Sequence, residues 1–159
     1  MILIVPGTPI AQPRQRHRVI TSRNARAACQ LCGLKPADRH FVSNYTPAKH
    51  AVNTYKQAIT LVVKTQYSDA PMTGPLDIFV EFVMPRPAVK VWKRKPMPTY
   101  PHATKPDIDN LLKSTFDACN GLLWSDDSQI ARLDTIKRVA SGDESAHVLI
   151  DVRQYDERT

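Results

Sequence analysis

The segment LDIFVEFVM, Leu76–Met84, limits the fold more than any other stretch of the chain. Leu76, Ile78, Val80, Phe82 and Met84 alternate with Asp77, Phe79, Glu81 and Val83, a two-residue period that only a β-strand converts into one apolar face. Phe79 and Val83 make the second face partly apolar too. The strand is therefore buried well on one side and partly on the other, and other elements must pack against it.

Two helical patterns supply that cover. Ala51, Tyr55, Ala58, Ile59, Val62 and Val63 recur at steps of three and four, which predicts a helix from about Pro47 or Ala48 to Gln66. Ile108, Leu111, Leu112, Thr115, Phe116 and Cys119 form a second stripe, on a helix from about Asp107 to Asn120 that Asn120-Gly121 stops. Strands are expected at Ile2–Val5, at roughly Gln129–Val139 and at His147–Arg153, the last two joined by a turn at Ser141-Gly142. The arginine-dense segment Pro13–Arg26 reads as loop, with room for a short strand near Arg18–Thr21. Between Pro85 and Pro106 the chain is proline-rich and basic, which excludes a regular helix and predicts a long exposed loop. The order predicts a single α/β or α+β domain over residues 1–159, a mixed sheet with two helices packed against it and a cysteine-containing insert at about 23–44.

The formal charge of +7 points to a polyanionic partner, since clustered Lys and Arg displace counterions from phosphates. No apolar run approaches a membrane span, and MILIVPG reads as a first strand rather than a signal peptide. Three cysteines, Cys29, Cys32 and Cys119, suit a reducing cytoplasm better than a disulfide framework.

Against that positive balance, KPDIDNLLK and WSDDSQI concentrate Asp107, Asp109, Asp126 and Asp127 within a short span. Asp107 and Asp109 can point the same way only if Asp107 lies at or before the N-cap; Lys113 then falls one turn beyond Asp109. A purely structural account exists: an aspartate N-cap, an acid near the helix dipole, and an acid–lysine pair four residues apart. The second acidic pair favours a different account, in which the strand after the helix returns one of those acids to the helix start. Three converging carboxylates repel one another, and a divalent cation removes the penalty. Mg²⁺ prefers such oxygen ligands together with substrate phosphate and water. Metal-assisted phosphodiester hydrolysis fits best, with Lys113 stabilising charge on the phosphate or positioning water.

KPDIDNLLKSTFDACNGLLWSDDSQI, Lys105 to Ile130, resembles the signature of the RusA family of Holliday-junction resolvases, and VPGTPIAQPR and NYTPAKHAVNTYK are also similar to it. Together these segments cover about half of the chain. The resemblance implies a RusA-like fold and a small homodimeric endonuclease that resolves four-way DNA junctions by paired symmetric nicks. It implies Mg²⁺ as cofactor, for which Mn²⁺ can substitute, and suits a phage or prophage gene. It places the catalytic, metal-binding carboxylates on Asp107, Asp109 and Asp127 and the catalytic lysine on Lys113. Asp126 is a further candidate ligand, or simply begins the strand.

Arg14, Arg16, Arg18, Lys93, Arg94, Lys95 and Lys105 are the expected phosphate contacts; taken singly, each reads equally well as a solvated loop residue. Trp92, Phe41 and Tyr100 read first as loop anchors or core residues, and second as rings able to stack on bases. Cys29 and Cys32 have the spacing of half a zinc site, which two of His17, His40 and His50 would have to complete; otherwise they are reduced thiols in an exposed loop. A non-catalytic nucleic-acid-binding module with a zinc knuckle at Cys29/Cys32 is therefore the alternative, followed by a nuclease or phosphatase acting on RNA or other branched DNA.

Overall fold

The computed structural model describes residues 1–14, 16–21, 40–92 and 94–156, with 16–21 and 40–44 described in their backbone only. In chain order the elements are β1 (Ile2–Pro6), β2 (Arg16–Thr21), β3 (His40–Tyr45), α1 (Ala51–Gln66), β4 (Leu76–Met84), β5 (Tyr100–Pro101), α2 (Ile108–Cys119), β6 (Ile130–Val139) and β7 (His147–Gln154). They form two units, one of Met1–Gln12 with Ala51–Thr159, the other of Pro13–His50.

The larger unit holds a five-stranded mixed sheet in the order β1-β7-β4-β6-β5, so the chain adopts the α+β arrangement with two helices that its periodicities imply. β4 is central, antiparallel to β7 and parallel to β6. Leu76, Ile78, Val80 and Phe82 are fully buried, and they share one core with Tyr55, Ile59 and Val63 of α1 and Leu111, Phe116 and Cys119 of α2. Burial pushes the Cys119 thiol up to about 12, so it stays protonated and behaves as a small apolar group. Between the helices the Tyr55 hydroxyl meets Thr115 Oγ1 at 3.0 Å, which satisfies two polar groups that burial would otherwise penalise.

Parallel strands need a crossover, and α2 is the crossover between β4 and β6. It runs against both strands. Its first turn therefore lies at the end where β4 and β6 finish, and its last turn at the end where they begin.

The structure departs from the expected elements in three places. α1 begins at Ala51, because the chain first closes a turn in which the His50 amide donates to the Pro47 carbonyl at 2.9 Å. β3 has no counterpart among the expected strands, and β2 starts two residues earlier than expected, at Arg16. The two pair in register from Arg16↔Tyr45 to Thr21↔His40, a ladder that backbone hydrogen bonds define and that hydropathy alternation does not announce. Lastly, Tyr100 and Pro101 of the proline-rich stretch add a short edge strand to β6, where a proline's missing N–H costs no ladder bond. Cys29 and Cys32 lie outside the described residues.

Arg138 ties the sheet to the β6–β7 turn. Its guanidinium meets Glu81 at 2.7 Å and Glu144 at 2.6 Å, and Glu144 also accepts from the Ser141 amide at 2.9 Å. The hydrogen bonds from Arg138, helped by the Ser141 amide and the Arg138 charge, hold the Glu144 carboxyl down to about 2, against an ordinary 4.5. A lowered folded-state value means the stabilisation is complete above 4.5 and disappears as pH falls toward about 2. Thermal unfolding of wild type and Glu144→Gln should accordingly differ at neutral pH, and the gap should close on acidification across that window; a gap independent of pH would contradict the assignment.

Candidate active site

α2 starts where the proline-rich stretch ends. Asp107 occupies its N-cap with extended backbone (φ −71°, ψ 143°), yet its carboxylate makes no capping hydrogen bond. Asp109 lies in the first turn and accepts only from its neighbour Asn110, at 3.3 Å; it forms no ion pair with Lys113 among the described residues. Of the three structural uses open to these acids, capping and helical pairing are thus unfilled, and only the placement of Asp109 near the positive end of the helix dipole is met. Instead both carboxylates line an open cleft of about 640 Å³ together with His102, Thr104, Lys105 and Lys137.

Lys137 builds the facing wall. It sits on β6 opposite Phe82, the register that faces the core, and its Nζ donates to the carbonyls of Thr104 at 2.8 Å and Pro106 at 2.6 Å. Its own carbonyl accepts from the His102 amide at 3.0 Å. Three hydrogen bonds thereby fix residues 102–106 to the end of β6 and set the position from which Asp107 enters the helix. His102 is half-buried with its Nδ1 unpartnered, and its Nε2 lies 3.3 Å from Thr104 Oγ1. Burial, then the Lys137 charge, lowers its pKa, which leaves the ring neutral at pH 7. On the other side, Ser114 Oγ donates to the Ile10 carbonyl at 2.6 Å and the Gln12 amide to Asn110 at 2.8 Å, which anchors the start of α2 to the N-terminal segment.

Asp126 and Asp127 are elsewhere. They open a single 3₁₀ turn, Asp127–Gln129, immediately before β6. The Asp126 carboxylate accepts from the Ser128 amide at 2.9 Å, and Gln129 Oε1 accepts in return from the Asp126 amide at 3.1 Å, a complete capping box. The Ser128 bonds hold the Asp126 carboxyl below the usual range. Gln129 Nε2 then binds the Met72 and Gly74 carbonyls at 3.1 and 3.0 Å, so this turn is pinned to the beginning of β4. Extended chain from Ile130 to Lys137 spans roughly 20 Å. The expected return of an acid to the helix start therefore does not occur within one chain: the acids precede β6 and stay at the far end of α2. Among the described residues, no three His, Cys, Asp or Glu side chains group closely enough to hold a metal ion.

Asp107 and Asp109 alone still fit a divalent ion, because Mg²⁺ is commonly held by one or two carboxylates while substrate phosphate and water fill its other positions. Lys113 is exposed on α2 and does not line the cleft. Lys105 does line it, Arg94 and Lys95 are exposed in the preceding loop, and Lys93 lies outside the described residues. Arg14, which is exposed, and Arg16 and Arg18, on β2, belong to the smaller unit. Sequence reasoning missed His102 and Lys137. The available signal was a lysine in the core-facing register of a strand, where a charge needs a specific reason to be.

A family model described as "Endodeoxyribonuclease RusA" matches residues 6–153. A Bacillus subtilis (strain 168) protein described as "Uncharacterized protein YqaN" is 32% identical over 142 residues, covering 84% of this chain and 83% of that one. The chain belongs to the RusA family: it is an endodeoxyribonuclease of Holliday-junction resolvase type, from a family generally dependent on divalent metal. Among the described residues, no helix is long and apolar enough to cross a membrane.

Replacing Lys137 with methionine removes the donor from two carbonyls and keeps the stem's packing. Since a hydrogen bond to a charged group contributes about 1.5–3 kcal/mol, the variant should lose on the order of 2 kcal/mol in urea unfolding and should exchange the 102–107 amides faster. Unchanged exchange there would refute the clamp.

Proposed function

We propose that this chain resolves four-way DNA junctions as a homodimer, using Mg²⁺ bound at Asp107 and Asp109, and cutting by paired symmetric nicks. The observation that carries the reading is the state of those two residues: both at a helix start, both exposed and lining an open cleft, and used neither as cap nor as ion pair. A carboxylate pair left without a structural partner in a chain of charge +7 is most simply explained by a ligand that is itself cationic.

Asp127 joins this reading through symmetry. Its chain position holds it at the opposite end of α2, so if it is the third metal-binding carboxylate, it reaches the cleft from a second copy. A two-fold assembly then has two identical composite sites, one for each of the two strands a resolvase must nick. Each copy supplies Asp107 and Asp109 to one site and Asp127 to the other. Asp126 serves as the cap that fixes the local turn and hence the direction of Asp127.

Asp107 and Asp109 would hold a divalent ion, which would supply charge neutralisation at the phosphate and make an attacking water more acidic. The chain's own residues do the rest. Lys105 sits in the cleft wall, where it can hold a phosphate oxygen, and Lys137 keeps the His102–Pro106 segment, and with it Asp107, in place. Lys113, one turn along α2, stabilises charge on the departing strand as the backbone is drawn along the helix. Arg94 and Lys95, with Arg14, Arg16, Arg18 and Lys93, give affinity without reading sequence. Mn²⁺ substitutes for Mg²⁺ on the same oxygen ligands. The cytoplasm, with its DNA and reducing conditions, is the compartment this activity suits.

Incubation with a synthetic four-way junction tests the reading. Paired nicks should appear with Mg²⁺ and vanish with chelator, and Asp109→Asn should lower the cleavage rate at least roughly a hundredfold while still binding the junction. Cleavage that survives in Asp109→Asn would remove the metal site from the account. Failure of that folded variant to bind would remove the basic segments as the source of affinity.

A further inference from the structure

Between Phe82 and Pro106 the chain has no acidic residue, whereas Arg86, Lys90, Lys93, Arg94, Lys95 and Lys105 all fall there. Within this stretch lies a small, almost wholly apolar cleft of about 240 Å³, lined by Arg86, Lys90, Trp92, Pro98 and Tyr100. It is separate from the cleft of Asp107 and Asp109.

Its framework is fixed. Arg86 donates from Nε to the Ala140 carbonyl at 3.1 Å and from Nη2 to the Met97 and Pro98 carbonyls at 3.0 and 2.6 Å, which bolts the loop to the end of β6. The Tyr100 ring is already engaged, with the Arg86 guanidinium 5.3 Å and the Lys90 ammonium 4.7 Å from its centre. Trp92 is held by its backbone amide, which donates to Met97 Sδ at 3.2 Å, while its side chain remains 44% exposed. Lys90 has no carboxylate partner among the described residues. A loop held by these bonds thus presents one exposed indole beside one ammonium with no carboxylate partner among the described residues.

We propose that this cleft takes a single unstacked nucleobase of the DNA, its face on Trp92 and an adjoining phosphate on Lys90. The volume is below that of a cleft for a drug-sized ligand, ~300–1,000 Å³, and suits one flat ring system. Every base has a π-face on which an aromatic side chain can stack, but in duplex DNA both faces are covered by neighbours, so only an unstacked base can enter. The acid-free surroundings select a polyanion over an acceptor of basic peptides. The proposal rests on DNA being the substrate, and it adds a reason for preferring open over fully paired DNA.

The two tryptophans make the test direct, because Trp124 is fully buried and Trp92 is exposed. Intrinsic fluorescence of the full chain in EDTA should be quenched by a four-way junction and by oligo(dT), and much less by a blunt duplex at equal occupancy measured by anisotropy. Trp92→Ala should bind junction and oligo(dT) roughly tenfold more weakly with duplex binding unchanged, and Trp92→Phe should recover most of the loss. Unaltered affinity of Trp92→Ala for all three DNAs, or equal quenching by duplex, overturns the proposal. If oligo(dT) quenches Trp92 but no junction is cut, the base cleft stands and the resolvase reading falls. If the junction is cut with Trp92 silent, the reverse holds.

Discussion

A helix that joins two parallel strands has to run against both of them, and this constraint orders the rest of the molecule. β4 and β6 are parallel neighbours, α2 connects them, and the two acidic motifs flank α2. One motif therefore stands at the finishing end of the strands and the other at their starting end. No side-chain rotation closes a gap of roughly 20 Å along β6. The acids that look contiguous in sequence are held apart by the backbone between them.

Each end is secured by a different polar device. At the finishing end, an ammonium in core-facing register is tolerated because two carbonyls and its place beside the cleft compensate its desolvation, and in return it fixes the loop that delivers Asp107. At the starting end, Asp126 and Gln129 exchange hydrogen bonds in a capping box, and Gln129 fastens the turn to β4. Of the four clustered aspartates, Asp126 is thus taken up by a local capping box, whereas Asp107 and Asp109 line the open cleft.

The sheet and helices were legible because periodicity reports burial. The alternation of Leu76–Met84 and the stripe from Ile108 to Cys119 mark positions whose side chains are buried in the core. β3 was not legible, since its ladder with β2 depends on backbone groups that every residue has. The placement of Asp107 at the N-cap was legible from Pro106 and the start of the stripe. Where Asp127 would stand relative to it could not be read locally, because that depends on the strand order and on the direction in which β6 pairs. Lys137 escaped notice for a related reason: its function is to hold carbonyls of a segment distant in sequence and near only in the folded chain.

The proposal that two copies share each site is open to a complementation measurement. Asp109→Asn and Asp127→Asn chains, each inactive alone, are mixed under conditions that let subunits exchange and are given a four-way junction with Mg²⁺. If each cleft draws its third carboxylate from the other copy, half the dimers are mixed and each mixed dimer has one intact site, so nicking should return to about a quarter of the wild-type level, as unpaired cuts. A mixture that exchanges subunits yet stays as inactive as its two components would contradict the account.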